Sequence, residues 1–133
     1  VSAAQVATSA EALVGTPFRL HGRDPATGLD CIGVVAAALA RGHRPVSAPT
    51  GYSLRNRSIV SQLAFAERAG LVEAQGQIEP GDIVLVRPGP AQHHLLVAVA
   101  DGSFVHAHAG LRRVVSTPAP LAWPTVRHWR VAP

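Results

Sequence analysis

At 133 residues, 47% hydrophobic and 15% charged, the chain has room for one domain with a sizeable core, which excludes two independent cores and native disorder. Twelve basic residues against eight acidic ones leave a formal charge of +4 and a pI of 11.0. Every basic residue is an arginine, they form no tract, and only six aromatic side chains are available for stacking, so a solvated arginine surface is expected rather than a nucleic-acid interface.

Residues 3–14 (AAQVATSAEALV) predict a first helix, with Val6, Ala10, Leu13 and Val14 on one side and Gly15 as its stop. A loop rich in Gly, Pro and Asp follows from Thr16 to Asp30. Then IGVVAAALA, closed by Gly42, predicts a second and almost wholly buried helix, with Cys31 at its start. This apolar run is interrupted by Gly33 and too short to span a bilayer. No secretory leader is read at the N-terminus, and Val1 in a chain without Met fits a trimmed initiator. Residues 43–57 carry Pro45, Pro49 and Gly51 and read as irregular, while Ser58 to Ala69 has helical spacing, with Ser58 as N-cap and Gly70 as stop. After Pro80 the period changes. DIVLV, HLLVAVA, SFVHAHA, RRVVS and TVRHWRVA are short, β-branched and separated by Gly, Pro or Asp, and they predict antiparallel strands. Helices first and strands second make an α+β fold.

The single cysteine excludes an intrachain disulfide framework and a cysteine zinc ribbon. Cys31 is nevertheless a candidate nucleophile. The first turn of a helix carries partial positive charge and free N–H groups, which favour a thiolate and can hold an oxyanion. The competing reading is core filling beside Ile32, Val34 and Val35. Five of the seven histidines lie in the strand half, and His93, His94, His106 and His108 bracket one predicted hairpin. A turn over Ala100-Asp101-Gly102, with Gly102 left-handed, pairs Val99 with Ser103, then Leu96 with His106 and His94 with His108. His94, His106 and His108 then share a face, His94 and His106 are diagonal neighbours, and His93 points the other way. Such a pair suits a cysteine hydrolase, one imidazole moving the proton and the other orienting it. Two other readings stand beside this one: core histidines satisfied by hydrogen bonds, and a zinc site of His94, His106 and His108, which would leave Cys31 unexplained.

The stretch VGTPFRLHGRDPATGLDCIGVV resembles the nucleophile motif of NlpC-type bacterial cell-wall cysteine peptidases, in which Gly-Thr-Pro-aromatic leads through a Gly-rich loop to Asp-Cys at a helix start. EPGDIVLV resembles the Pro-Gly-Asp strand of that family, and HLLVAVADGSFVHA its histidine hairpin, with the two polar residues twelve positions apart. The resemblance covers about residues 10–108, and three motifs in the correct order make it specific. WPTVRHWRVAP and the Asp-Cys-Ile-Gly variant resemble the branch associated with phage tails and gene transfer agents.

The resemblance implies a papain-like fold, N-terminal helices packed on a C-terminal antiparallel sheet, as a single domain over residues 1–133. It implies Cys31 as nucleophile, His94 as general base and then acid, and His106 as the orienting residue. Asp30 and Phe18 are implied on the substrate side, Asp30 as a site for an ammonium group, against its plainer role as a helix N-cap. Phe18 stands where many relatives carry Tyr, and Ile32 where many carry Ser. The implied activity is hydrolysis of peptidoglycan stem-peptide amides, between D-γ-glutamate and a diamino acid, without metal or other cofactor. Implied partners are stem peptides and tail hub proteins, with action in the periplasm or cell wall. The rival expectation is a tail-tip or hub component that keeps the fold with a weakened site.

Overall fold

The computed structural model describes residues 2–41 and 60–132. The first helix, α1 (Ala3–Glu11), opens with a capping box: Ser2 Oγ accepts from Gln5 N–H at 3.2 Å, and Gln5 Oε1 accepts from Ser2 N–H at 2.8 Å. It ends three residues before the expected Val14. Beyond it the backbone turns into the sheet, Gly15 N–H donating to Val114 O and Val114 N–H to Thr16 O at 2.9 and 2.8 Å. These partners lie outside any helix and draw the chain out of α1.

The loop from Thr16 to Asp30 is more regular than its composition suggests. It holds a two-stranded hairpin, β1 (Arg23–Asp24) with β2 (Gly28–Leu29). Its turn is set by Asp24, whose Oδ1 accepts from Ala26 N–H at 3.0 Å while its backbone O accepts from Thr27 N–H at 3.0 Å. The hairpin delivers the chain to α2 (Cys31–Arg41), where Val34, Val35, Ala38 and Leu39 are fully buried. Gly33 allows a close approach: a Cβ there would lie 2.2 Å from Gly22 O. The third helix, α3 (Val60–Arg68), is followed by Gly70 at φ +74°. The expected Ser58 cap, the stop at Gly42 and the irregular stretch 43–57 lie outside the described residues.

Strands β3 (Leu71–Glu73), β4 (Ile83–Gly89), β5 (Gln92–Ala98), β6 (Ser103–His108), β7 (Arg113–Pro118) and β8 (Thr125–Val131) form one antiparallel sheet in the order β3-β8-β4-β5-β6-β7. Helices followed by this sheet make the expected papain-like α+β fold. β3 was not expected: its three residues show no alternation long enough to read, and its pairing with β8 defines it.

The β5–β6 turn forms as the sequence predicts. Gly102 has φ +80°, and Val99 N–H donates to Ser103 O at 2.9 Å. Leu85, Leu95, Val97 and Val105 pack with α1 and α2 in the main core. Val84, Val86, Leu96, Ala98 and Phe104 form a second cluster on the opposite face of the sheet, covered by Ile78, Leu121 and Trp123. The strand alternation therefore sends His94 and His106 to the face that Trp123 covers, while α2 lies on the other.

Candidate active site

Cys31 is the first residue of α2, and Asp30 caps the helix. Asp30 Oδ1 accepts from Gly33 N–H at 2.9 Å and from Arg23 Nη1 at 3.0 Å, and Oδ2 accepts from His21 N–H at 2.8 Å. With both oxygens engaged and its charge compensated by Arg23, the buried carboxylate sets the geometry of the helix start. An ammonium ligand would have to compete with those donors.

The thiol of Cys31 is free and half-buried. Burial pushes its pKa up to about 11, opposed by backbone hydrogen bonds from Leu95 and Ile32; the Asp30 charge raises it and Arg23 lowers it. The contact with Leu95 locates the sulfur, since Leu95 follows His94 on β5. The helix on one face of the sheet thus meets the histidines of the other at the beginning of β5. There Cys31, His94, His106 and Phe18 line one cavity of about 250 Å³.

The two imidazoles meet because the ladder opens. β5 and β6 pair at Val97–Val105 and Ala98–Phe104, but the expected Leu96–His106 and His94–His108 pairings are not formed. His94 instead stands opposite Val86 on β4. Across the gap His94 Nε2 lies 2.9 Å from His106 Nδ1, with the rings edge to face at a centroid distance of 5.0 Å. Trp123 packs edge-on against both rings, 5.9 Å from each. Burial lowers the His94 pKa to about 3, helped by the neighbouring charges of His106 and His108, and burial followed by His108 lowers that of His106 to about 4. Both rings are therefore neutral near pH 7.

His108 stands further out, its ring 6.0 Å from that of His106 and its Nδ1 accepting from Leu111 N–H at 3.0 Å. His93, expected on the opposite face, also reaches the cavity wall. The β4–β5 register shifts between Val86 and Gly89, whose partners His94 and Gln92 flank His93, so strict alternation does not hold there. Among the described residues no three His, Cys, Asp or Glu side chains are grouped to hold a metal ion.

Three contributors escape sequence reading. Trp123 comes from the loop before β8, and Gln62 reaches the cavity from α3. The third is Thr117, whose Oγ1 lies 2.8 Å from His106 Nε2. Extending the predicted strand RRVVS by one residue and pairing it with β6 would have found it, because Thr117 sits opposite Phe104, diagonal to His106. The chain Thr117–His106–His94 satisfies a ring that is 1% exposed. Thr117→Val keeps the shape and orphans His106 Nε2, so it is expected to lose about 1–3 kcal/mol of stability in urea unfolding. Thr117→Ser, which keeps the hydroxyl, should stay within about 1 kcal/mol of the unsubstituted chain.

This arrangement can be set beside known proteins. Residues 15–128 match the model of the NlpC/P60 family. Among curated proteins none matches the sequence. Solved structures share the fold. NlpC1 from Trichomonas vaginalis superposes with a TM-score of 0.68 at 20% identity, covering 96% of this chain and 43% of its own. The NlpC/P60 domain of the peptidoglycan hydrolase SagA gives 0.64 at 23% identity, covering 99% and 100%. The peptidoglycan hydrolase RipB from Mycobacterium tuberculosis gives 0.64 at 20% identity, covering 98% and 65%. The chain spans less than half the length of the two Trichomonas vaginalis proteins it matches. Identities this low carry the fold alone, but the sequence match extends over most of the chain and includes the cysteine and both facing histidines: the chain belongs to the NlpC/P60 family.

Proposed function

We propose that the chain is a cell-wall cysteine peptidase that hydrolyses peptidoglycan stem-peptide amides, the bond after D-γ-glutamate and before a diamino acid being the expected target. The observation that carries this reading is the shared cavity: a thiol on the first turn of α2 beside a hydrogen-bonded pair of neutral imidazoles. Family membership and the description of SagA and RipB as peptidoglycan hydrolases support the substrate class. The Asp-Cys-Ile-Gly and WPTVRHWRVAP motifs support a place among tail-borne members, working at the wall with a hub protein as partner.

In this mechanism His94 acts through Nδ1, the nitrogen that His106 leaves unengaged. It takes the thiol proton as sulfur attacks the amide carbonyl. The charged His94 then donates from Nε2 to His106 Nδ1, and His106 donates from Nε2 to Thr117, so that only one tautomer of His106 fits the charged state. The Cys31 N–H, on the first turn of α2 and outside the helix ladder, receives the oxyanion, since Asp30 holds the Gly33 N–H and the Ile32 N–H faces the sulfur. His94 returns the proton to the leaving amine, and water, deprotonated by His94, cleaves the thioester.

The test is product analysis. Purified sacculi incubated with the chain should yield fragments with a new γ-carboxyl on D-glutamate and a new free amine on the diamino acid, read by mass spectrometry. Sacculi that remain uncut would overturn the proposal. A second reading, a wall-binding tail component with a weak site, draws on the raised thiol pKa and predicts co-sedimentation with sacculi without cleavage.

A further inference from the structure

Gln62 is 5% exposed, lines the cavity that holds Cys31 and His94, and carries a buried Oε1 with no hydrogen-bond partner. A buried carbonyl without a donor is costly and uncommon in a folded chain. Its place on α3, a helix that contributes no part of the proton relay, means that the relay does not require it. What the cavity lacks, and a bound ligand would bring, is a donor.

The charge of that donor follows from the surroundings. Asp30 is the one carboxylate among the described residues lining the cavity, and Arg23, Gly33 N–H and His21 N–H already occupy it. The remaining described wall is neutral, built from side chains such as Phe18, Ile32, Pro88 and Trp123 around the histidines. A free ammonium group would enter with no uncompensated negative charge to meet it, whereas an amide N–H needs only a neutral acceptor.

From this we propose that Gln62 is a substrate-recognition residue whose Oε1 accepts from a peptide N–H of the bound stem, so that the site takes stems whose amino end is amide-linked. This rests on the peptidase reading of the same cavity and adds to it the form of the substrate. It assigns Gln62 to binding rather than to chemistry.

The probes are acetyl-L-alanyl-D-γ-glutamyl-L-lysine and the same peptide with a free amino terminus, with kcat and KM measured for each on the full chain. Gln62→Leu removes the acceptor at similar volume. It should raise KM for the acetylated peptide about tenfold, the equivalent of one hydrogen bond, while leaving kcat within about twofold. Loss of Oε1 should not lower its Tm, because that atom has no hydrogen-bond partner in the free protein; an acceptor with a structural role would behave in the opposite way. Gln62→Glu should raise KM for both peptides, since it buries an unpaired charge. A KM unchanged in Gln62→Leu overturns the assignment, and a KM lowered for the free-amine peptide in Gln62→Glu overturns the neutral-donor argument. Should the unsubstituted chain leave both probes and sacculi intact, the peptidase reading falls and takes this one with it. Cleavage that is indifferent to Gln62 removes this inference alone.

Discussion

Cys31→Ala is expected to lower release of stem fragments from sacculi by at least about 10⁴-fold, to the level of the wall alone, with the fold retained. The sulfur forms and breaks the acyl bond in the proposed mechanism, and no other cysteine exists in the chain to replace it. Because the side chain is only half-buried, deleting one sulfur should cost about 1 kcal/mol, leaving circular dichroism and cooperative unfolding intact. His94→Ala should reach nearly the same low rate, and the double variant should be no worse than either single one. In that mechanism nucleophile and base serve one proton transfer, so their losses do not add. Losses that multiplied would mean that the two residues act in separate steps. Muropeptide chromatography on the four proteins decides between these outcomes. His106→Ala should fall between, since His106 does not touch the thiol in the scheme and acts by holding His94 at 2.9 Å.

The parts of this site that were legible in the sequence share one property: local signals specify them. An acidic residue before an apolar run marks a helix start, and Asp30 does cap α2. A turn with glycine in its last position fixes a hairpin register, and Gly102 does adopt the left-handed conformation. From these two facts alone, thiol and imidazoles could be assigned to elements that a two-layer fold must bring together. What stayed illegible depends on where distant segments land. Gln62 lies in a stretch legible only by its helical spacing, because nothing in its neighbours says which cavity that residue meets. The meeting of His94 with His106 was expected, but not the parting of β5 from β6 that makes room for it. The short pairs β1–β2 and β3–β8 lack the length to show a period, and they exist through the strands and bridges around them. Asp30 illustrates a third case, where one residue type admits two roles and the capping role is visible only once Arg23 and His21 are in place.

Acid should destabilise the chain through the same pair of rings. His94 and His106 have pKa values lowered from 6.5 to about 3 and about 4, chiefly because burial disfavours their charged forms. In the unfolded chain both rings protonate near pH 6.5, so below that value the unfolded state binds more protons and stability rises with pH. The contribution of the pair is complete above about pH 6.5 and is lost as pH falls towards 4 and then 3. At pH 4 the loss amounts to a few kcal/mol, a large share of the 5–15 kcal/mol typical of a domain, and should lower Tm by roughly 10 °C. Thermal melts between pH 7 and 4 measure it. His106→Asn, which can still hydrogen-bond but does not titrate in this range, should flatten the slope by about half. A slope unchanged in that variant would place the acid sensitivity elsewhere in the chain. The kinetic counterpart has the same sign. A base that stays neutral well below pH 6 gives kcat/KM an acid limb displaced to low pH, while a thiol raised to about 11 keeps the resting pair uncharged. Alkylation of Cys31 by iodoacetamide should therefore be slow at pH 7 and quicken about tenfold per pH unit towards the alkaline side. In the proposed mechanism the proton moves during attack on the substrate, with the Leu95 and Ile32 N–H groups already facing the sulfur.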